Sequence, residues 1–456
     1  MTGEVWLQPG QEVTQAKGLR ASKGGVALVL GAGNQLPAVA LDALHKLVVD
    51  GEVVLLKMNP VNDYLGPHIA AALAPLTEGG FLALANGGAD VGARLAADPR
   101  VDTVHLTGSA STYDALVWGP GASKTGAPKL AKRVTGELGC VTPIIITPGP
   151  WSQSDLDYVA AELVAGAAHN AGHNCLAAEI VLTDASWPLR PAFLDALRAA
   201  LNATPRRVAY YPGSAAKAAA FRAGAGPPVE DLGAPLPGAG TLDPAAGVVL
   251  PWMLRAGLAP DEVGGAGGGG EAGDRAARQP TTLAPHTQAR TDTENWCGAL
   301  QEVALPGTGG GAEAFLKAAT AYANQRVAGT LSCVLFAHPA TPPTALEAAI
   351  AGLEYGCVCV NVSNVLGFSV PALTWGAHLP GGPPAAIGTG NVAAHNAYLL
   401  DGVQKSVLRA PWRVRPAHLW SPAHRNLEAA CGAAVDFFAG PSVPGLLRVA
   451  AAALRG

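Results

Sequence analysis

Gly25-Val26-Ala27-Leu28-Val29-Leu30-Gly31-Ala32-Gly33-Asn34 is the stretch from which the fold is read. Its apolar first half is a buried strand, and the glycine-rich second half is a tight turn. Residues 37–49 then place apolar side chains at helical spacing, and 53–56 repeat the strand pattern, closing on Lys57. The alternation continues through a helix at 68–76, a strand at 81–85, a short helix at 91–97 and a strand at 101–106 that runs into Thr107-Gly108-Ser109. Short strands alternating with helices predict an α/β fold whose mostly parallel sheet is covered on both faces. Such sheets bind ligands beyond the carboxyl ends of their strands. Gly31-x-Gly33 begins like a dinucleotide fingerprint, but Leu36 stands at the third glycine position and Lys57, not an acid, ends the next strand. A plain tight turn explains those glycines equally well.

Beyond the first alternation, 132–146 read as one extended run interrupted by Glu137. A helix at 156–169 leads into Asn170-Ala-Gly-His-Asn-Cys175, and 181–201 add a strand end and another helix. From 223 to 278 the pattern becomes irregular, with many prolines and a glycine tract at 264–270, and reads as a flexible loop insertion. Order resumes at 280–283, at Glu294-Asn295-Trp296 and at 300–305. A helix at 312–324, a strand at 330–336, a helix at 345–353 and a strand at 356–362 with Asn361 at its end follow. The tail after Trp412, with prolines at 416, 422, 441 and 444, is weakly patterned.

The 456 residues suffice for two or three domains with cores of their own. A net charge of −4 leaves no basic field for nucleic acid or an anionic membrane, and no apolar run is long enough to cross a bilayer. The first ten residues lack the basic start and apolar core of a signal peptide. Seven scattered cysteines, an odd number, argue for reduced thiols in a cytoplasmic setting. Cys357 and Cys359 share one strand face and read as core packing, since further metal ligands are not in view.

Two residues invite chemistry. Cys175 ends a loop of small and polar residues at the mouth of a strand, where a nucleophile would sit; taken alone, a lone cysteine is more often a small core residue. Glu137 lies between apolar neighbours, where a carboxylate is costly unless paired or used.

Here the pieces align with one family. Asn170-Ala-Gly172-His-Asn-Cys175 resembles the Asn-x-Gly-Gln-x-Cys nucleophile motif of the aldehyde dehydrogenase superfamily, and Gly136-Glu137-Leu138-Gly139-Cys140-Val-Thr-Pro143 resembles its Glu-Leu-Gly-Gly-Lys-Ser-Pro motif. Thr107-Gly108-Ser109 after Val101-Asp102, Gly51 to Lys57, Gly33-Asn34, Glu294-Asn-Trp296, Val358-Cys-Val-Asn361 and Thr374-Trp375-Gly376 resemble further segments of the family in order. The resemblance runs from about Gly24 to Val407 outside the irregular insertion. It implies a Rossmann-like NAD(P)-binding domain at 20–140, a catalytic α/β domain at 141–396 interrupted at 223–278, and a small oligomerisation strand with a C-terminal tail at 397–456.

The resemblance further implies NAD(P)-dependent oxidation of an aldehyde to a carboxylic acid. Cys175 would be the nucleophile, Glu137 the base for the hydrolytic water, and the Asn34 amide with the Cys175 N–H the oxyanion donors. The cofactor, NAD or NADP, would lie against Lys57, Thr107, Gly108, Ser109, Leu138, Glu294 and Trp296. Gln404 to Leu408 would pair with a neighbour's sheet, giving a homo-dimer or homo-tetramer. Departures are His173 in place of glutamine beside the thiol, Pro60 where an acid normally follows the cofactor lysine, and only Met1 to Gly24 ahead of the first matched strand. Relatives that transfer the acyl group or run reductively, and a non-catalytic scaffold, are the alternatives; Glu137 counts against the first, and Asn34, Glu137, Cys175 and Glu294 together count against the second.

Overall fold

The computed structural model describes residues 1–17, 23–122, 127–236, 247–261, 263–264, 289–290, 294–307, 309, 311–378, 393–414, 418, 420–422, 424 and 426–455. In chain order its main strands are β1 (Thr2–Leu7), β2 (Val26–Leu30), β3 (Val53–Lys57), β4 (Leu82–Ala85), β5 (Thr103–Thr107), β6 (Arg133–Glu137) and β7 (Thr142–Ile146). They continue with β8 (Ala178–Asp184), β9 (Glu230–Leu232), β10 (Trp252–Leu258), β11 (Ala299–Leu305), β12 (Ser332–Phe336), β13 (Cys357–Val360) and β14 (Val403–Arg409).

Two sheets carry the molecule. The first is parallel, in the order β4-β3-β2-β5-β6. Alternate residues of β2 feed opposite cores, as the two-residue period of a strand requires. Ala27 and Val29 pack with Val39 and Ala43 of helix α1 (Leu36–Val48) and with Ile69 of α2 (Gly66–Ala72); α3 (Ala74–Glu78) follows directly. Leu28 and Leu30 pack with Ala96 of α4 (Ala89–Ala97) and Tyr113 of α5 (Ala110–Val117). The helix read at 68–76 is thus two short helices.

The second sheet runs β1-β14-β13-β12-β7-β8-β11-β10-β9. Its inner strands are parallel, while β1 and β9 close the two edges antiparallel. Helices α6 (Gln153–Ala168), α7 (Arg190–Ala203), α8 (Ser214–Ala223), α9 (Gly311–Arg326), α10 (Pro343–Gly352) and α11 (Asn364–Ser369) are spaced between these strands. α6 opens on a capping box, with Ser152 accepting from the Asp155 N–H and Asp155 accepting from the Ser152 N–H.

Four expectations need correction. The run at 132–146 is not one strand: β6 ends the first sheet at Glu137 and β7 enters the second at Thr142, so the chain changes sheet across residues 138–141. The stretch 223–278 is not wholly irregular, because β9 and the seven-residue β10 lie in it and belong to the second sheet. Arg255 hides β10 in the sequence by interrupting its apolar run; its buried guanidinium donates to carbonyls of Phe221, Ala225 and Gly224 around the end of α8. Apart from Gly264, the glycine tract lies outside the described residues, as do residues 280–283.

β14, expected to pair with a neighbour, is instead flanked on both sides by its own chain, β1 on one edge and β13 on the other. The unpatterned tail carries two helices, α12 (Leu427–Ala439) and α13 (Val443–Ala453), whose alanine-rich sequence gives little apolar contrast between faces. Cys357 and Cys359 are core residues as expected, with their Sγ atoms 3.8 Å apart.

Candidate active site

A cavity of about 920 Å³ opens where the carboxyl ends of β2, β3, β5 and β6 meet the loop before β8. Asn34, Lys57, Thr107, Gly108, Ser109, Glu137, Leu138, Cys175, Glu294 and Trp296 all line it. Every residue singled out from the sequence as catalytic or cofactor-binding therefore borders one space.

Cys175 is placed by a backbone that few sequences tolerate. Asn170 (φ 51°), Ala171 (φ 56°) and Gly172 (φ 79°) lie consecutively in the left-handed region. Asparagine and glycine accept this geometry; alanine holds it at a cost of about 1–2 kcal/mol. A Cβ on Gly172 would stand 2.9 Å from the Gly298 nitrogen, so glycine is required there on both counts. The turn is pinned by the His173 carbonyl, which accepts from the Asn34 side-chain amide at 3.0 Å and from that of Asn170 at 3.1 Å. Asn170 also donates to the Asn34 carbonyl at 2.9 Å. Asn34 is thus tied to the loop that ends on Cys175, with one amide hydrogen engaged and its side chain at the cavity wall.

His173 brings no charge to the thiol. Its ring is buried, bonds Ser214 Oγ at 2.9 Å and packs against Tyr210 and Tyr211; burial lowers its pKa to about 4. Cys175 is held as a thiol, its pKa raised by burial and by the nearby carboxylates of Glu137 and Glu294.

Glu137 is buried at the end of β6 and accepts from Trp375 Nε1 at 3.1 Å. Burial, reinforced by the charge of Asp42, raises its pKa to about 8, against the opposing hydrogen bond of Trp375. Asp42, buried on α1, accepts from Thr107 Oγ1 at 2.7 Å, and Thr107 is the register partner of Glu137. His105, two residues earlier, bonds Thr135 at 2.9 Å and stands 3.6 Å from Asp42. Thr107 therefore faces an internal carboxylate as well as lining the cavity.

On the cofactor side, Ser109 caps α5 by accepting from the Thr112 N–H at 3.1 Å and remains exposed. Lys57 is buried at the end of β3, and among the described residues its ammonium makes no hydrogen bond or ion pair. Burial lowers its pKa, opposed by Asp90 and Asp63. A buried donor left open toward a cavity fits a hydroxyl-bearing ligand such as a ribose. Glu294 accepts from the Cys140 N–H at 3.0 Å; a Cβ on Gly139 would fall 2.0 Å from its carboxylate, so glycine there makes room for this acid. Trp296 sits at φ 47°, and Glu179 accepts from the N–H groups of Asn295 and Trp296. These residues fit a dinucleotide.

The sequence reading missed Asn59, Asp90, Tyr211 and Lys217, which also line the cavity, and Glu179, which supports it from β8. Glu179 carried the signal that marked Glu137, an acid in an apolar run. Lys217, whose Nζ lies 5.5 Å over the Trp296 ring, sits on α8 with no motif around it. Only the fold brings it here.

Residues 25–208 match the aldehyde dehydrogenase family. No curated protein sequence matches the chain. Among solved structures, lactaldehyde dehydrogenase from Escherichia coli superposes with a TM-score of 0.57 at 16% identity, over 89% of this chain and 74% of that one. An NAD-dependent aldehyde dehydrogenase from Sinorhizobium meliloti gives 0.54 at 19% identity, over 85% and 68%. An NADP-dependent glyceraldehyde-3-phosphate dehydrogenase from Bacillus halodurans gives 0.53 at 18%, over 84% and 66%. At such identities the likeness is one of fold. Residues 25–208 are thus similar in sequence to the aldehyde dehydrogenase family, and the chain shares the fold of the solved aldehyde dehydrogenases.

Proposed function

We propose that this chain oxidises an aldehyde to a carboxylic acid with NAD or NADP, through a covalent intermediate on Cys175. The observation that carries the reading is the meeting of Cys175, Glu137 and Asn34 in the cavity that also holds Lys57, Ser109 and Glu294. Lys57 and Glu294 would hold the two riboses, Ser109 and the start of α5 the pyrophosphate, and Trp296 the nicotinamide region. When bound, the nicotinamide supplies the hydride acceptor.

The resting thiol loses its proton to solvent before it attacks, and Glu137, with a pKa of about 8, is kept as base for the later hydrolysis. Sulfur adds to the carbonyl carbon to give a thiohemiacetal, whose oxyanion meets the Asn34 amide and the Cys175 N–H. Loss of hydride leaves a thioester. Glu137 then takes a proton from water, the resulting hydroxide equivalent displaces the Cys175 sulfur, and the acid departs. A base buried beside the nucleophile favours this hydrolytic course over acyl transfer.

A panel of aldehydes with each cofactor tests the reading. Cys175→Ala is expected to lose at least about 1,000-fold in NAD(P)H formation. Glu137→Gln is expected to give a burst of about one NAD(P)H per site and then stall as the thioester. Normal turnover by the Cys175 variant would overturn the proposal.

A further inference from the structure

We propose that Lys217 makes this site discriminate between the two oxidation states of its cofactor, so that the reduced nicotinamide is held more tightly than the oxidised one. The inference rests on the dinucleotide reading of the cavity and goes beyond it, since no residue that carries that reading puts a positive charge at the nicotinamide end. Lys217 is the fourth residue of α8 and lines the cavity. Its ammonium donates to the Glu294 carbonyl at 3.4 Å and lies 5.5 Å over the Trp296 ring. Glu294 and Trp296 are the residues assigned to the nicotinamide ribose and its ring, so Lys217 brings a cation to that end.

The fold fixes both the helix and the ring. Ser214, at the start of α8, donates to the Tyr211 carbonyl at 2.7 Å and bonds the buried His173 ring at 2.9 Å, which fastens the helix to the loop that ends on Cys175. Tyr211 packs edge-on against Trp296, with ring centroids 4.8 Å apart, and its hydroxyl reaches across to Gly33, where a Cβ would stand 2.7 Å from it. Glu179 holds the Trp296 N–H from β8. Trp296 therefore has Tyr211 at its edge and Lys217 over its face, and the ammonium is not a freely swinging surface charge.

Charge then sets the preference. The oxidised nicotinamide ring is cationic, and the hydride taken from the thiohemiacetal carbon makes it neutral as that carbon is oxidised to the thioester. A lysine beside the ring penalises the first form and spares the second. Among the described residues Lys217 has no ion-pair partner. It meets Glu294 at the backbone carbonyl, while the Glu294 carboxylate is turned to the Cys140 N–H. Burial, with Asp42 for Glu137 and Glu294 for Glu179 adding to it, raises the pKa of both acids to about 8, so near neutral pH neither cancels the ammonium in full. For like charges within a Debye length at a half-hydrated wall, the penalty corresponds to about five- to tenfold in binding. Lys217 thereby pulls hydride transfer forward on the enzyme and slows release of the reduced cofactor.

Calorimetric titration of the full chain with NAD, NADH, NADP and NADPH, at neutral pH and without aldehyde, tests this. The wild type is expected to bind the reduced form of its cofactor at least about tenfold more tightly than the oxidised form. Lys217→Gln is expected to shrink that ratio about five- to tenfold, chiefly by tightening the oxidised form, and Lys217→Arg, which keeps the charge, to preserve it within about twofold. Lys217 is exposed, so both variants are expected to keep the wild-type far-ultraviolet circular dichroism. A wild type that binds both forms alike, a Lys217→Gln variant that weakens both equally, or a Lys217→Arg variant that loses the ratio as the glutamine does would each overturn the proposal. A wild type that binds none of the four dinucleotides would overturn the cofactor reading itself, and the proposal with it.

Discussion

The five-stranded sheet carries its site charges at strand ends, whereas the nine-stranded sheet carries charges in strand interiors. Lys57 and Glu137 close β3 and β6 and border the cavity. Glu302, Arg255 and Lys405 lie inside β11, β10 and β14, and each is bound by its own chain. Glu302 accepts from Arg190 at 2.8 and 2.7 Å and from the Gly257 N–H at 2.8 Å. Lys405 donates to the Ile350 and Ala351 carbonyls at 3.1 and 3.0 Å, and to that of Leu353, at the end of α10. The difference separates two uses of a buried charge. Where its hydrogen-bonding capacity is filled from within it fastens a helix to a sheet, and where it opens to a cavity it is left for a ligand.

The largest test of this contrast is Arg190→Ala. Glu302 is fully buried, and losing the guanidinium would leave its carboxylate short of its main partner. A loss of about 3–5 kcal/mol in unfolding free energy is expected from urea denaturation. A loss below about 1 kcal/mol would mean that the Gly257 N–H and the Thr183 hydroxyl, which also donates to Glu302, satisfy it unaided.

Next in size is Asp42→Asn. Its cost to stability is expected to be about 1–2 kcal/mol, because the amide keeps one acceptor for Thr107 and loses the charge that His105 faces. Its sharper effect is on pH dependence. Glu137 must be a carboxylate to act as base, so turnover of the wild type is expected to rise with pH through about 8. Removing the Asp42 charge removes one cause of the elevation, so that rise is expected to move to lower pH. Trp375→Phe, which removes the donor that opposes the elevation, is expected to move it upward. Shifts in the reverse directions would break the assignment of Glu137.

The same contrast accounts for what was legible in the sequence. In the first sheet the charges stand outside the apolar runs, so strands and helices alternate cleanly, and Lys57, Ser109 and Glu137 could be named from position. In the second, Arg255 breaks the apolar run of β10, and its neighbours across the sheet come from residues far along the chain. β1 pairs with β14 across nearly the whole sequence, through Thr2 and Arg409, and no local pattern announces so distant a partner. Asn34 and Cys175 were readable because their motifs are local. Tyr211 and Lys217 reach the cavity only because α8 packs behind the loop that ends on Cys175, where Ser214 bonds His173. α12 and α13 were obscured because alanine fills much of both helices.

The smallest effect on stability is expected from Lys57→Met, and it tests the other half of the contrast. Burial disfavours the ammonium, and no hydrogen bond or ion pair among the described residues offsets that cost. Replacing it with an apolar side chain of similar length should therefore leave unfolding free energy within about 0.5 kcal/mol, or raise it slightly. Cofactor binding should behave oppositely, with KM for NAD(P) rising about tenfold or more while the pH at which turnover rises stays put. Lys57 has Asp90 and Asp63 near enough to favour its charge, so the variant also tests whether those acids matter. A large loss of stability would mean that the lysine fastens the sheet as Arg255 does. An unchanged KM would mean that its N–H donors face something other than the cofactor.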